Sequence, residues 1–294
     1  MCILFWTVDN HPKYRFNRDE FLERPTARAH YWNEPHGNVL AGTDLEVNPE
    51  DQTIKNGTWL GITKDGRFSA LTNYREKSFK GHISRGILVR DFLWGNFTVH
   101  EHMESLLKDD YFNQFGGFNL IDLDFSKKDT TDMAYISNRE HQSIYDLKPG
   151  EIYGLSNSIL TNPWPKVVDG KKLFEEVISK HQSDNEDEMI KALFQLLSTT
   201  KPMTNTGDVE HIYGDLKERI CIPLFNFPEN LNLKNSAYAT RTSTVVLLDY
   251  NDNVTFIERM WYNEDDITPA THVNFNDKVY RFTLNKKVKE GFGR

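Results

Sequence analysis

Apolar residues in this chain fall into two kinds of pattern. The run CILFWTV at 2–8 is continuously apolar and rich in β-formers, and Asp9, Asn10 and Pro12 supply the break that ends it as a strand. TWLGITKDGRFSALTNY carries two apolar-patterned arms around Lys64-Asp65-Gly66, where glycine can take a positive φ, so it predicts a hairpin. GFNLIDLDF and DMAYISN predict a second antiparallel pair. TSTVVLLDY, VTFIERMWY and KVYRFTL, late in the chain, are dense in β-branched and aromatic residues, and Asn251-Asp252-Asn253 suits a tight turn between the first two.

Between these blocks the period lengthens to that of a helix. ISRGILVRDFLWG places Ile87, Leu88, Phe92 and Leu93 on one stripe. Thr98 and Glu101 have capping-box spacing ahead of Val99, Met103, Leu106 and Leu107. GKKLFEEVISKH and DEMIKALFQLLS are amphipathic, and the polar stretch HQSDNEDE at 181–188 joins them. Strands, then helices, then strands again predict an α+β fold of antiparallel sheets with helices on their outer faces. No repeat and no Gly/Ser-rich or Pro-rich linker divides the chain, so 1–294 reads as a single domain.

Charge narrows the function. The 35 basic and 43 acidic residues leave a net charge of −8, which opposes binding to DNA or to an anionic membrane and still permits a local basic pocket. Two cysteines are no disulfide framework and predict a reducing compartment. The 2–8 run is too short for a signal-peptide core, and no stretch reaches the roughly 18 apolar residues a membrane span needs. These points predict a cytoplasmic protein without an integral membrane segment. His100 and His102 diverge on a helix and no cysteine pair exists, so no metal site is predicted.

The candidate chemistry begins at Cys2. If Met1 is removed, thiol and free α-amine occupy one residue, and an amine of unperturbed pKa about 7.7–8 can take the thiol's proton without a separate histidine. On position alone, an inert cysteine at the start of a core strand is the commoner case. Asn17-Arg18-Asp19-Glu20 is by itself a solvated turn; functionally, Arg18 would favour a thiolate and Asp19 would orient the amine. Asn73, ahead of Tyr74 at the end of the hairpin, can donate to an oxyanion or simply serve a turn. Asn157 in Ser156-Asn157-Ser158 repeats the pattern of a strand ending in asparagine, and it lacks the spacing of a nucleophile elbow. Arg241, just before VVLLDY, needs a carboxylate or an anionic ligand, and a structural salt bridge would also satisfy it.

Together MCILFW, NRDE, the TWLGITKDGRFSALTNYRE hairpin, SRGILVRDFL, YGLSNSIL with NPWPK, and YATRTSTV with FIERMW resemble the NRDE-motif family, the Transport and Golgi Organization 2 proteins of eukaryotes and their bacterial relatives, in the right order from residue 1 to about 260. The resemblance implies an N-terminal nucleophile hydrolase-like fold, a four-layer αββα sandwich of two antiparallel sheets, similar to bile-salt hydrolases and penicillin V acylase. It implies Cys2 as nucleophile, Arg18 and Asp19 as the early charged pair, Asn73 with Tyr74 as the oxyanion element, Asn157 as the later asparagine and Arg241 as the distal arginine. One departure is that Arg18 and Asp19 are adjacent; strand neighbours point to opposite faces, which makes Glu20 a candidate substitute for Asp19.

Three functions follow from the resemblance. The first is hydrolysis of an amide or thioester, such as an acyl-CoA-type lipid, linked to Golgi organisation, secretion and lipid homeostasis. The second is a non-catalytic carrier of lipid or haem on the same scaffold, with haem as cargo rather than cofactor and with Golgi or mitochondrial association. The third is an interaction protein of secretory organisation acting through its surfaces.

Overall fold

A computed structural model of the chain describes residues 2–8, 13–46, 57–76, 81, 83–108, 111–127, 131–140, 143–181, 185–203, 208–231, 236–262 and 276–286. The break expected at Asp9, Asn10 and Pro12 and part of the 181–188 joint lie outside them. In chain order the strands begin with β1 (Cys2–Thr7), β2 (Lys13–Phe21), β3 (Thr26–Tyr31), β4 (Val39–Asp44), β5 (Leu60–Thr63) and β6 (Arg67–Asn73). Then come helices α1 (Gly86–Trp94) and α2 (Val99–Leu106), and strands β7 (Phe118–Asp124), β8 (Asp132–Ser137), β9 (Tyr145–Asp146) and β10 (Ile152–Leu155). Helices α3 (Pro165–Lys180), α4 (Glu186–Leu197) and α5 (Val209–Glu218) follow, and β11 (Phe225–Asn226), β12 (Ala237–Leu248), β13 (Asn253–Met260) and β14 (Lys278–Thr283) close the order.

These elements form two compact units, each assembled from separated segments. The first is Met1–Arg24, Gly150–Tyr250 and Val254–Arg281; the second is Pro25–Pro149, Asn251–Asn253 and Phe282–Arg294. Among the described residues each unit carries one antiparallel seven-stranded sheet. In the first the order is β10-β1-β2-β12-β13-β14, with β11 also paired to β12; in the second it is β3-β4-β5-β6-β7-β8-β9. Two antiparallel sheets and five helices are the components of the α+β class that the pattern predicts. No helix among the described residues is long and apolar enough to cross a membrane.

In the first unit α3 and α4 cover one face of the sheet. Ile3 and Phe5 of β1 pack there with Val167 and Phe174 of α3, Leu193 and Leu197 of α4, and Val245 of β12. Each such side chain, fully buried, contributes roughly 1.5–3 kcal/mol. Alternation along β1 sends Cys2, Leu4 and Trp6 to the opposite face. In the second unit Leu88, Phe92 and Leu93 of α1 and Val99 and Met103 of α2 pack on Leu71, Phe118, Leu120 and Ile136. Thr98 and Glu101 make both halves of the expected capping box. Gly66 (φ 95°) and Asp252 (φ 63°) are the left-handed residues of the two expected turns.

At β2 the structure decides between two sequence readings. Four successive polar residues read locally as a turn, whereas the resemblance treats them as a strand, and Asn17, Arg18 and Asp19 are buried inside a strand held on both sides by β1 and β12.

Candidate active site

The site is built from three neighbouring strands and the residues just past a fourth. β1 and β2 pair so that Cys2 lies directly opposite Arg18. Directly opposed residues of an antiparallel pair share a face, so Arg18 and then Glu20 lie on the face of Cys2, while Asn17 and Asp19 point to the helix-covered side. β12 pairs with the other edge of β2, where Thr240 faces Asp19 and Thr242 faces Arg18. Arg241 is therefore an extra residue on its strand, a β-bulge of the kind that re-aims a side chain. Its guanidinium Nη1 donates to the Arg24 carbonyl at 2.5 Å.

Beyond β10 the chain grips the backbone of Cys2 from both directions. The Cys2 N–H donates to Asn157 Oδ1 at 3.1 Å, and Ser156 Oγ donates to the Cys2 carbonyl at 2.7 Å. Asn157 Oδ1 also accepts from Ser156 Oγ at 3.2 Å. Because Oδ1 is committed to residue 2, the amide Nδ2 is the atom through which Asn157 can donate to an oxyanion.

Burial pushes the Cys2 thiol up to about 11; the Asp19 and Glu20 carboxyls add to that rise and the Arg18 guanidinium opposes it. Cys2 is 8% exposed. Arg18 Nη2 donates to Glu20 Oε2 at 3.4 Å, Arg24 Nε lies 3.8 Å from the same oxygen, and the Phe21 N–H donates to Glu20 Oε1 at 2.9 Å. Burial works to raise the Glu20 pKa, but Arg18, the terminal ammonium, Arg24 and the Phe21 N–H together hold it below its ordinary value.

Asp19 occupies a different environment. Thr240 Oγ1 donates to its Oδ1 at 2.5 Å, and Lys166 Nζ of α3 lies 3.8 Å from its Oδ2. Burial raises the Asp19 carboxyl and Lys166 opposes that rise; burial lowers the Lys166 ammonium and Asp19 opposes that. The Tyr238 hydroxyl donates to the Asp19 carbonyl at 3.0 Å. Glu20 thus shares the face of Cys2 and Arg18, and Asp19 lies among Thr240 and Lys166.

Asn17 anchors the segment. Its Nδ2 donates to the Leu197 and Ile220 carbonyls at 2.9 and 3.0 Å, and its Oδ1 accepts from Ser243 Oγ at 2.5 Å. Ser243 Oγ in turn accepts from Trp261 Nε1 at 2.7 Å.

The first unit therefore brings Cys2, Arg18, Asp19, Asn157 and Arg241 to one end of its sheet. Asn73 belongs to the second unit, half-buried at the end of β6 and paired in register with Phe118. Residues that sequence reasoning passed over are Lys166, Thr240 and Ser156. Only Lys166 carried a signal, as a cation in the first turn of a helix after Pro165, where the macrodipole disfavours it. Among the described residues no group of three or more His, Cys, Asp or Glu is placed to hold a metal ion.

Residues 1–263 match the family model described as Transport and Golgi organisation 2. The chain belongs to that family. Two of its relatives are the human Transport and Golgi organization protein 2 homolog and the Drosophila melanogaster Transport and Golgi organization protein 2. The human relative is 32% identical over 293 residues, covering 97% of this chain and 99% of its own length. The Drosophila protein is 28% identical over 273 residues, covering 88% and 91%. Among solved structures, the family member is similar to a conjugated bile acid hydrolase from Clostridium perfringens (TM-score 0.48, 11% identity, 99% of this chain and 100% of that one). It is also similar to the Caenorhabditis elegans ortholog of N-acylethanolamine-hydrolyzing acid amidase (TM-score 0.45, 14% identity, 70% and 88%).

Proposed function

We propose that this member of the Transport and Golgi organisation 2 family is an N-terminal cysteine hydrolase acting on an amide or a thioester, with an acyl-CoA-type lipid as the substrate class. The observation that carries the reading is the setting of residue 2: its backbone nitrogen is held by Asn157 and its side chain shares a face with Arg18. Removal of Met1 turns that nitrogen into an amine already gripped by a side-chain acceptor. The thiol passes its proton to this amine, and the thiolate attacks the substrate carbonyl carbon. The oxyanion that forms takes a hydrogen bond from Asn157 Nδ2. Collapse breaks the C–N or C–S bond; the leaving amine or thiol takes the proton back from the ammonium, and an acyl-thioester remains on Cys2. Water, deprotonated by the same amine, then releases the carboxylic acid and restores the thiol. Arg18 favours the thiolate through its charge.

The test combines mass and turnover. Protein purified from a eukaryotic host is expected to have an intact mass lacking one methionine, and to hydrolyse a member of a panel of acyl amides and thioesters. Cys2→Ala is expected to abolish that turnover. Hydrolysis undiminished in Cys2→Ala overturns the mechanism.

A second reading has its own observation. With residue 2 only 8% exposed and its thiol pushed up to about 11, a form that keeps Met1 has no thiolate near neutral pH. Such a form is a binding protein for an acyl lipid or haem on a hydrolase scaffold. A retained Met1 in the intact mass, with saturable ligand binding and no turnover, favours this reading.

A further inference from the structure

Lys166 is a buried cation of the first unit for which the hydrolase reading has no use. It sits in the first turn of α3, directly after Pro165, and is 1% exposed. Helix electrostatics disfavour a positive charge there, and burial of an ammonium is costly unless a carboxylate meets it. Its Nζ has no hydrogen-bond partner among the described residues and lies 3.8 Å from Asp19 Oδ2, itself fully screened from solvent. The Trp164 ring, 5.9 Å from Nζ, adds a weaker cation–π contact. A residue that breaks the local rule and meets one specific partner in the interior is held there by that partner.

The partner is the aspartate of the NRDE segment, next in sequence to the residue opposite Cys2. A bare carboxylate at that position opposes ionisation of the Cys2 thiol, as the upward effect of Asp19 on Cys2 indicates. The other groups around the pair are Arg18, Glu20 and Arg24 from the β2 segment, Tyr238 from β12, and Cys221, whose thiol burial pushes up to about 12. Lys166 is the side-chain cation that acts on Asp19, and the terminal ammonium adds to its effect; Arg18 and Arg24 are engaged with Glu20.

We propose that Lys166 is a positioning residue of the Cys2 centre: Thr240 and the terminal ammonium also hold Asp19 as a carboxylate, and the Lys166 ammonium cancels that carboxylate's opposition to the Cys2 thiolate. The proposal rests on Cys2 being the reactive group and deepens that reading. It makes the aspartate of NRDE and the lysine of NPWPK, 147 positions apart in the chain (166 − 19), one functional pair.

The test reads Cys2 rather than turnover, so absence of hydrolysis leaves it intact. Iodoacetamide alkylation of Cys2 is followed against pH by peptide mass spectrometry, which separates it from Cys221. Lys166→Met is expected to slow Cys2 alkylation near pH 8 by about tenfold, through an upward shift of about one pH unit in the midpoint. Adding Asp19→Asn to Lys166→Met is expected to restore the wild-type rate or exceed it, a rescue that loss of packing alone does not produce. In the Asp19→Asn background, Lys166→Met should change nothing, because a lysine without its carboxylate is neutral at this depth. That last comparison decides the matter even if Lys166→Met alone does not fold. A wild-type midpoint in Lys166→Met, a loss that Asp19→Asn does not rescue, or additive effects of the two substitutions would each overturn the proposal.

Discussion

Cys2 and Arg18 stand directly opposite each other across the first antiparallel pair of the sheet, with Glu20 on the same face holding the guanidinium at 3.4 Å. The cross-strand register makes the arginine a fixed neighbour of the thiol rather than a mobile surface charge. Arg18 is 4% exposed, so its charge acts with less screening than a surface arginine's would.

Arg18→Leu therefore removes the group on β2 that favours the Cys2 thiolate. The alkylation midpoint of Cys2 is expected to move upward, with the rate at pH 8 falling on the order of tenfold. Iodoacetamide kinetics with peptide-level mass readout checks this. An unchanged midpoint would mean that the cross-strand pairing has no electrostatic consequence for the thiol.

Asn17 is a different kind of residue within the same motif. Its side chain ties β2 to the end of α4 through the Leu197 carbonyl, to the Ile220 carbonyl, and to Ser243 on β12. Replacement by alanine strands two buried carbonyls and a hydroxyl, a loss on the order of 3 kcal/mol in unfolding free energy. Urea denaturation monitored by tryptophan fluorescence measures it; a loss under about 1 kcal/mol would mean that the network relaxes around the change.

How much of this was legible in the sequence depended on where the partners lie. β1, the β5–β6 hairpin, the β7–β8 pair and the α2 capping box announce themselves because their signals are local. β2 does not, because Asn17 and Asp19 are tolerable in a buried strand only through partners supplied by β12, α3, the end of α4 and the Ile220 carbonyl. Those partners lie some 150 to 230 residues away, and no periodicity encodes them. The bulge at Arg241 is equally silent, since it exists only as a register shift against β2. Alternation did reveal one thing: Arg18 and Asp19, being neighbours, had to face opposite sides of the sheet.

Glu20 provides a pH signature. Burial works to raise its pKa, but Arg18, the terminal ammonium, Arg24 and the Phe21 N–H together outweigh burial and leave it depressed. A depressed folded-state pKa contributes stability above the unfolded value, near 4.3, and loses it as pH falls through the folded value. The stability gap between wild type and Glu20→Gln should thus be largest near neutral pH and should close on acidification below about pH 4. Denaturation curves at pH 7, 5, 4 and 3 test the sign. A gap that widens toward acid would contradict the ion-pair account.

The packing of α3 on β1 supplies the last test, and here two rules oppose each other. Gly170 lies inside α3, where alanine is the better helix former by about 1 kcal/mol. A Cβ at that position, however, would overlap the ring of Phe5, which is fully buried and packs on Phe174 with centroids 6.2 Å apart. Gly154 of β10 is tight for the same reason, its absent Cβ leaving room for Val167 and Lys171 of α3. The helix thus approaches the sheet at a distance that two glycines permit, and this approach also brings Lys166 to Asp19. Overpacking of this kind costs about 1–3 kcal/mol, which exceeds the propensity gain. Gly170→Ala is therefore expected to destabilise the protein despite its better helix propensity. Lifting α3 should also weaken the Lys166–Asp19 contact and slow Cys2 alkylation. A variant more stable than wild type, with unchanged Cys2 kinetics, would show that Phe5 yields easily and that the close seat of α3 does not control the pair.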